Sequence, residues 1–308
     1  MSTPREALGD YLRIRRQLGF ELTRAGRDLE DFVGFLEEAG EDRITTELAL
    51  RWATRPVDAS PYYWRMRLGT VRGFARYLAT VDPTSEVPHE ELLPGTYTRV
   101  APYLYSEAEI VALMTATDIF GPPMLRATYR TVIGLMASTG IRIGEALGLD
   151  RHDVDLIDGA LHVRAGKQRK QREVPLHHTT TNALREFARE RDRRAPVPET
   201  PAFFVSHQGR RIDPKQFNKN FARLIRQVGL EGCGHRERPR PHDIRHTFAV
   251  RTLLNWYRDG ADVQRELPRL STYLGHAEPV YTYWYLQAAP ELLQLVGQRL
   301  DQELGARS

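Results

Sequence analysis

The chain has 308 residues, a length that exceeds one comfortable core and favours two domains. Its hydrophobic fraction of 41% and charged fraction of 27% are typical of a soluble globular protein, and no apolar run approaches the roughly eighteen residues of a membrane span. The net charge of +4 is mildly basic, so it matters for binding only where it is clustered.

Two further features exclude other classes. The single cysteine, Cys233, excludes an intramolecular disulfide framework and a zinc site built on several thiolates. The N-terminal sequence carries charges without a following apolar stretch, which is not the pattern of a secretory signal. We therefore expect a cytoplasmic, nucleoid-associated protein.

Residues 1–82 predict a small helical bundle. In one segment the apolar residues recur at intervals of three and four, which places them on one helix face that Gly40 is expected to end. They are Leu22, Ala25, Leu29, Phe32, Val33 and Leu36. Ser60 followed by Pro61 is typical of a helix start. The face of this later helix is formed by Trp64, Leu68, Val71, Phe74 and Leu78.

Residues 83–102 predict an interdomain linker, because four prolines interrupt any helix and no periodic apolar set survives. The prolines are Pro83, Pro88, Pro94 and Pro102. Ser106 and Glu109 then have the spacing of a capping box, which opens a new helix. A second domain is therefore expected over residues 103–308.

The second domain predicts helices around a small sheet. A buried helix is indicated by Leu125, Tyr129, Val132, Ile133 and Met136. Leu161 and Val163 alternate before a basic turn, and Val174 and Leu176 alternate after it, which is typical of a β-hairpin. Helical periodicity returns near Phe217 and from His242 onward. The fold class is therefore mainly α with a small β-sheet.

Positive charge is concentrated in two short segments of this half. The hairpin carries Arg164, Lys167, Arg169, Lys170 and Arg172, and the later segment carries Arg236, Arg238, Arg240 and Arg245. One such run is usually a solvated face, but two in one half of the chain favour a polyanionic partner.

Chemistry-bearing residues follow in a fixed order. Arg142 lies just past a glycine in STGIRIGEALGL, and Lys167 lies in the hairpin. In PRPHDIRHTFAVR, His242 and Arg245 are three apart and share a helix face, whereas His246 is expected to point elsewhere. His276 follows in LGHAE, ahead of three tyrosines.

Taken in this order, the residues resemble the tyrosine recombinase (phage integrase) family. The resemblance implies an N-terminal helical core-binding domain with a SAM-like fold and a C-terminal tyrosine recombinase catalytic domain. The string TYWYLQAAPELL is similar to transposon-encoded site-specific recombinases.

The resemblance also implies roles for single residues. Arg142 and Arg245 would clamp the non-bridging oxygens of a DNA phosphate, with no metal or other cofactor. Lys167 would protonate the leaving 5′ oxygen, His242 would be an acid or base near the phosphate, and His276 a hydrogen-bond donor to it. Arg164, Arg169, Lys170, Arg172 and Arg240 are expected to contact DNA.

Three tyrosines compete for the role of nucleophile. On a helix, Tyr281 and Tyr285 share a face and Tyr283 points across, so facing alone demotes only Tyr283. In the family the nucleophile usually follows the L-G-H histidine by nine residues, which selects Tyr285. Beyond it, a final helix is predicted by Leu293, Val296, Leu300 and Leu304, packing on its own domain or on a neighbouring protomer.

The expected function is that of a site-specific recombinase which cleaves and rejoins DNA through a 3′-phosphotyrosyl intermediate, for integration or transposition of a mobile element. Its expected partners are double-stranded DNA with specific recombination sites, and a homo-tetramer or a mixed tetramer with recombinases encoded alongside. Two alternatives remain: a catalytically silent DNA-binding architectural partner, and a type IB topoisomerase-like enzyme that relaxes DNA.

Overall fold

The computed structural model describes residues 3–95, 101–164, 171–194, 199–230, 239–276 and 282–285. The chain divides into two compact units, Met1–Arg99 and Val100–Ser308, and this division lies inside the segment predicted as a linker. Within the described ranges, no helix is long and apolar enough to cross a membrane. The predicted final helix, Tyr281 and Cys233 lie outside these ranges.

Four helices are described in the first unit: α1 (Pro4–Gln17), α2 (Thr23–Glu38), α3 (Thr46–Thr54) and α4 (Pro61–Val81). The predicted start of α4 is confirmed, because the Ser60 hydroxyl accepts a hydrogen bond from the Tyr63 backbone N–H at 3.3 Å. Leu22 differs from the prediction, since it precedes α2 in a left-handed conformation with φ of 47°.

The two predicted stripes contribute to the core of this unit, together with residues of α1 and α3 such as Leu8 and Trp52. Leu29, Phe32, Val33 and Leu36 of α2 are buried, as are Leu68, Val71, Phe74 and Leu78 of α4. The chain after α4 continues along the same unit. There the Glu86 backbone N–H donates to the Ile44 carbonyl at 2.7 Å, and the Arg72 side chain donates to the Pro88 carbonyl at 2.9 Å.

The second unit contains seven described α-helices and one sheet. The helices are α5 (Glu107–Ala116), α6 (Pro123–Thr139), α7 (Ile143–Gly148), α8 (His178–Arg194), α9 (Pro214–Val228), α10 (Pro241–Arg258) and α11 (Val263–Leu274). Ser106 and Glu109 form the predicted capping box at the start of α5. The sheet contains β1 (Val154–Asp155), β2 (Ala160–Val163) and β3 (Arg172–Pro175) in that order.

The predicted hairpin is confirmed by the antiparallel pairing of β2 with β3, in which Leu161 faces Val174 and Val163 faces Arg172. Its basic turn, residues 165–170, lies outside the described residues. Helix α6 lies in the main core and packs against α5, α8 and α10. A mainly α fold with a small β-sheet is thus confirmed.

A separate apolar cluster joins α10 to α11. It contains Val250, Leu253, Leu267 and Leu270, and a helical turn at residues 282–285 adds Tyr285 to it. Helix α10 therefore contributes one face to the main core, through Ile244, and another to this cluster. The candidate site lies where these two faces meet the end of α11.

Candidate active site

The C-terminus of α11 brings two predicted arginines together. Arg142, at the start of α7, donates to the carbonyl oxygens of Leu274 at 3.3 Å and Gly275 at 2.9 Å. Arg245, on α10, donates to the same Leu274 oxygen at 2.7 Å. The last carbonyls of a helix carry the negative end of its dipole and attract cations. Side chains about a hundred residues apart in sequence are therefore held on one acceptor.

Arg245 is almost completely enclosed, with 1% of its surface exposed. It also donates to the Gly140 carbonyl at 2.8 Å, and Gly140 has φ of 62°, where an added Cβ would lie 2.5 Å from the Phe248 ring. Burial, and next the charge of Arg142, lower the pKa of Arg245 to about 10. The guanidinium therefore stays protonated at neutral pH.

Glu145, to which the sequence motifs assigned no role, binds two of the arginines. Its oxygens accept from Arg142 at 2.7 Å and from Arg172 at 2.7 and 3.1 Å. Arg172 also donates to the Tyr273 carbonyl at 2.9 Å, so it reaches the end of α11 as well. Burial raises the pKa of Glu145, but Arg172 and Arg142 outweigh it and lower that pKa to about 2. Glu145 is thus an anion that holds both guanidiniums.

The phenol of Tyr285 lies among histidines. Its oxygen is 3.2 Å from Nδ1 of His246, and its ring centroid is 6.1 Å from that of His276. His246 in turn contacts His242, with ring centroids 4.6 Å apart. Arg245 is close enough to Tyr285 for an electrostatic interaction that affects the pKa of Arg245. The five described residues that were predicted to be catalytic are therefore gathered in one place.

The three tyrosines differ in what the structure describes. Tyr285 is 2% exposed and belongs to the α10–α11 cluster, so it is both a core residue and part of the site. Tyr283 is 47% exposed on the same turn. The sequence placed Tyr283 on a different helix face from Tyr285, and the difference in burial agrees with that placement.

His276 is held in a neutral form. Its Nδ1 lies 2.7 Å from the hydroxyl of Thr282, a buried residue on the turn that carries Tyr285. Burial, followed by the charges of Arg245 and Arg142, lowers the pKa of His276 to about 3. If the Thr282 hydroxyl donates to Nδ1, Nε2 carries the ring hydrogen and is a donor.

The predicted DNA-contacting residues fall into three groups. Arg164 donates to Asp150 and Asp153, and Arg172 is engaged by Glu145, so both guanidiniums have acidic partners inside the unit. Arg240 precedes α10 and is exposed. Lys167, Arg169 and Lys170 lie outside the described residues. Contacts of all these residues with DNA stay predictions.

Two residues of the site, Glu145 and His246, were not predicted from the motifs. In both cases the spacing from a predicted residue could have indicated them. Glu145 lies three residues after Arg142, where its side chain accepts from the Arg142 backbone N–H at 3.1 Å. The expectation that His246 points elsewhere is wrong, because its ring reaches Tyr285. His242 and His246 are four apart, a spacing that shares a helix face.

Paired guanidiniums beside a phenol and imidazoles are groups suited to phosphoryl transfer. Residues 104–291 match the phage integrase family, and the chain belongs to this family. It is 43% identical over 307 residues to a Sinorhizobium fredii protein named "Putative integrase/recombinase y4rB", covering 98% of each chain. It is 28% identical over 228 residues to the tyrosine recombinase XerC of Chlamydia trachomatis, covering 74% of this chain and 67% of that protein.

Solved structures agree with the fold. The integrase of transposon Tn1549, in complex with transposon right end DNA, aligns with a TM-score of 0.68 at 16% identity, over 98% of this chain and 99% of that one. The family resemblance read from the motifs is thus confirmed. Membership of a tyrosine recombinase family makes this chain an enzyme that cleaves and rejoins DNA.

Proposed function

We propose that the chain is a site-specific recombinase which attacks a DNA phosphate with Tyr285 and forms a 3′-phosphotyrosyl link. The observation that supports this most is the convergence of Arg142 and Arg245 on the Leu274 carbonyl, with the Tyr285 phenol within electrostatic reach of Arg245. Two guanidiniums at one point can neutralise the non-bridging oxygens of a phosphodiester as charge develops there.

The reaction exchanges the bond from phosphorus to the 5′ oxygen for a bond from phosphorus to the tyrosine oxygen. The Tyr285 oxygen bonds to phosphorus, the bond from phosphorus to the 5′ oxygen breaks, and that oxygen takes a proton from Lys167. His276, neutral and with Nε2 as a donor, hydrogen-bonds a non-bridging oxygen, and His242 serves as an acid or base beside it. The phosphotyrosyl bond conserves the energy of the phosphodiester, so rejoining needs no ATP or other cofactor.

Access to the phosphate requires a movement. Tyr285 is 2% exposed and Arg245 is 1% exposed, so a phosphate cannot contact both in the arrangement described. We propose that DNA binding shifts the turn at residues 282–285 only far enough to admit the phosphate beside the arginines, so that the Tyr285 oxygen stays within reach of His246 and Thr282 stays on His276. The arginines are held by hydrogen bonds to backbone carbonyls, which a movement of the turn does not break.

The wider role we propose is integration or transposition of a mobile element in the cytoplasm, with DNA carrying paired recombination sites as substrate. A tetramer of this chain, alone or mixed with recombinases encoded alongside, would hold two sites together. Similarity to a protein named integrase/recombinase and to the fold of a transposon integrase supports this role. A two-site exchange assay and a supercoil-relaxation assay separate it from a topoisomerase-like activity.

A suicide substrate tests the nucleophile. Nicked duplexes made from the DNA flanking the encoding gene should trap a covalent protein–DNA adduct with the unaltered chain. Tyr285→Phe should abolish the adduct and leave DNA binding unchanged, because only the attacking oxygen is lost. Tyr283→Phe is the matched control and should form the adduct normally, since Tyr283 is exposed on the same turn.

An adduct that survives Tyr285→Phe would reject the assignment. DNA binding without any adduct from the unaltered chain would favour the silent architectural partner.

A further inference from the structure

The contact between His246 and Tyr285 has no role in the mechanism described so far. Nδ1 of His246 lies 3.2 Å from the Tyr285 oxygen, within hydrogen-bonding range, and the two ring centroids are 5.4 Å apart. His246 is half-buried on α10, and the ring of Trp284 also packs against it, with the ring centroids 5.4 Å apart. The imidazole is therefore held against the atom that is to attack.

We propose that His246 is the base that accepts the phenolic proton of Tyr285 when the tyrosine attacks DNA. The proposal rests on the function proposed above, in which Tyr285 is the nucleophile. It assigns a residue to the removal of the phenolic proton, for which the mechanism above names none.

A base is needed because a phenol is a weak nucleophile at neutral pH. Its ordinary pKa is about 10, so about one phenol in a thousand is ionised at pH 7. Arg142 and Arg245 can stabilise the phenolate, but their guanidiniums are already protonated and accept nothing. The candidate acceptors are therefore the histidines that surround Tyr285.

Among these histidines, His246 has the most suitable geometry. Nδ1 of His276 already faces Thr282 at 2.7 Å, and burial keeps the pKa of that ring at about 3, so it is a poor proton acceptor. His242 contacts the ring of His246 and is exposed at the start of α10.

The proton balance is complete without another reactant. In cleavage, the proton moves from the Tyr285 oxygen to Nδ1 of His246, the oxygen bonds to phosphorus, and the departing 5′ oxygen takes a proton from Lys167. In rejoining, the 5′ hydroxyl attacks the phosphotyrosine and returns a proton to Lys167, while His246 returns its own to the phenolate. The tautomer required at the start carries hydrogen on Nε2 and presents the Nδ1 lone pair to Tyr285.

The first test compares rates of adduct formation on the suicide substrate in a single turnover. His246→Leu should cleave about 100-fold more slowly, the size expected for loss of a general base. His246→Asn places an acceptor oxygen near Nδ1 that orients the phenol but holds no proton, and should recover only part of that loss. His207→Ala is the matched control, since His207 is exposed in a turn away from this cluster, and should cleave normally.

The second test separates a base from a packing residue. A site-specifically incorporated fluorotyrosine in place of Tyr285 has a lower phenol pKa and needs a base less. The penalty of His246→Leu should therefore shrink by about tenfold in that background. A DNA substrate with a 5′-bridging phosphorothiolate, which relieves the need for Lys167, should leave the penalty unchanged.

Three outcomes would overturn the proposal while the proposed function stands. The penalty could be undiminished with fluorotyrosine, the thiolate substrate could rescue it, or His246→Leu could cleave faster, which would make the contact a restraint on Tyr285. Failure of the proposed function itself is distinguishable, because the unaltered chain would then form no adduct or Tyr285→Phe would still form one. DNA binding and thermal unfolding of each variant show that the comparison is made on folded protein.

Discussion

The two ends of the basic hairpin segment look alike in sequence and differ in structure. Arg164 follows β2 and Arg172 begins β3, and both were expected to contact DNA. In the structure each guanidinium binds carboxylates of its own unit. Arg164 donates to Asp150 and Asp153, whereas Arg172 donates to both oxygens of Glu145.

The surroundings of the two networks differ. The Arg164 side chain is 48% exposed, and Arg211, the other cation on Asp150, is 35% exposed. The Arg172 and Glu145 side chains are only 12% and 16% exposed, and the same carboxylate holds Arg142. The carboxylates are enclosed at both ends, since the Asp150 side chain is 12% exposed, so the two networks differ in their cations: the arginines on Asp150 reach solvent, whereas those on Glu145 are enclosed beside the candidate site.

The largest expected effect comes from removing the central carboxylate of each network. Glu145→Gln leaves two poorly hydrated guanidiniums without an anion and should lower the free energy of unfolding by about 3 kcal/mol. Asp150→Asn should cost about 1 kcal/mol, because Arg164 and Arg211 can turn to water. Chemical denaturation measures both, and the suicide substrate should show slower cleavage only for Glu145→Gln. Equal losses in the two variants would remove the distinction between the networks.

The pH dependence of stability sharpens the same comparison. The folded-state pKa of Glu145 is about 2, below its ordinary 4.5, so its stabilisation is complete above pH 4.5 and is lost as pH falls towards 2. At about 1.4 kcal/mol per pKa unit, the loss is about 3 kcal/mol. Unfolding measured between pH 5 and 2 should therefore show a shallower acid slope for Glu145→Gln than for the unaltered chain. Identical slopes would contradict the role of Glu145.

Exchange of each arginine for lysine should have an intermediate effect. Lysine keeps the charge but cannot span both oxygens of Glu145 and the Tyr273 carbonyl, so Arg172→Lys should slow cleavage about tenfold. Arg164→Lys should change it by less than about twofold, since an exposed ammonium can still pair with Asp150.

The salt dependence of DNA binding tests separately whether Arg172 contacts a phosphate. Loss of one phosphate contact lowers the slope of log affinity against log salt by about one. Because all three guanidinium nitrogens of Arg172 already donate to Glu145 or to the Tyr273 carbonyl, Arg172→Ala should leave the slope unchanged. A slope lower by about one would support the sequence-based expectation that Arg172 contacts DNA.

Much of the fold was predictable because local rules and tertiary packing agree. The Ser60–Pro61 start, the Ser106–Glu109 capping box and the alternation of the hairpin each rest on interactions within a few residues. Leu22 shows the limit: periodicity extends to it, but the chain turns before α2 begins. An apolar period marks a face and does not fix the terminal residue.

The site was predictable in its members more than in its contacts. Motif order selected Arg142, Arg245 and Tyr285, which the structure brings together, but charge alone did not show that a buried carboxylate holds Arg172. His246 was expected to point away from the site because it directly follows Arg245, and adjacent residues of a helix point in different directions. One helix can present adjacent residues to different parts of one site, and that depends on the elements packed around it.

The smallest expected effect distinguishes two glycines that end helices in the same conformation. Gly275, with φ of 69°, ends α11, and Gly229, with φ of 73°, ends α9. Alanine at either position should cost about 1 kcal/mol of stability for the left-handed backbone. A Cβ on Gly229 meets nothing within 4 Å, whereas one on Gly275 would lie 2.6 Å from the Arg172 guanidinium.

Gly275→Ala should therefore displace Arg172 and slow cleavage, while Gly229→Ala should leave cleavage unchanged at a similar loss of stability. The double variant tests the cause, because Gly275→Ala should slow cleavage no further once Arg172→Lys is present, and the two effects should not add. Additive effects would mean that the glycine acts through the backbone of the L-G-H turn itself. In that case the close approach of Arg172 would be a consequence of the turn and not the reason that a glycine is required.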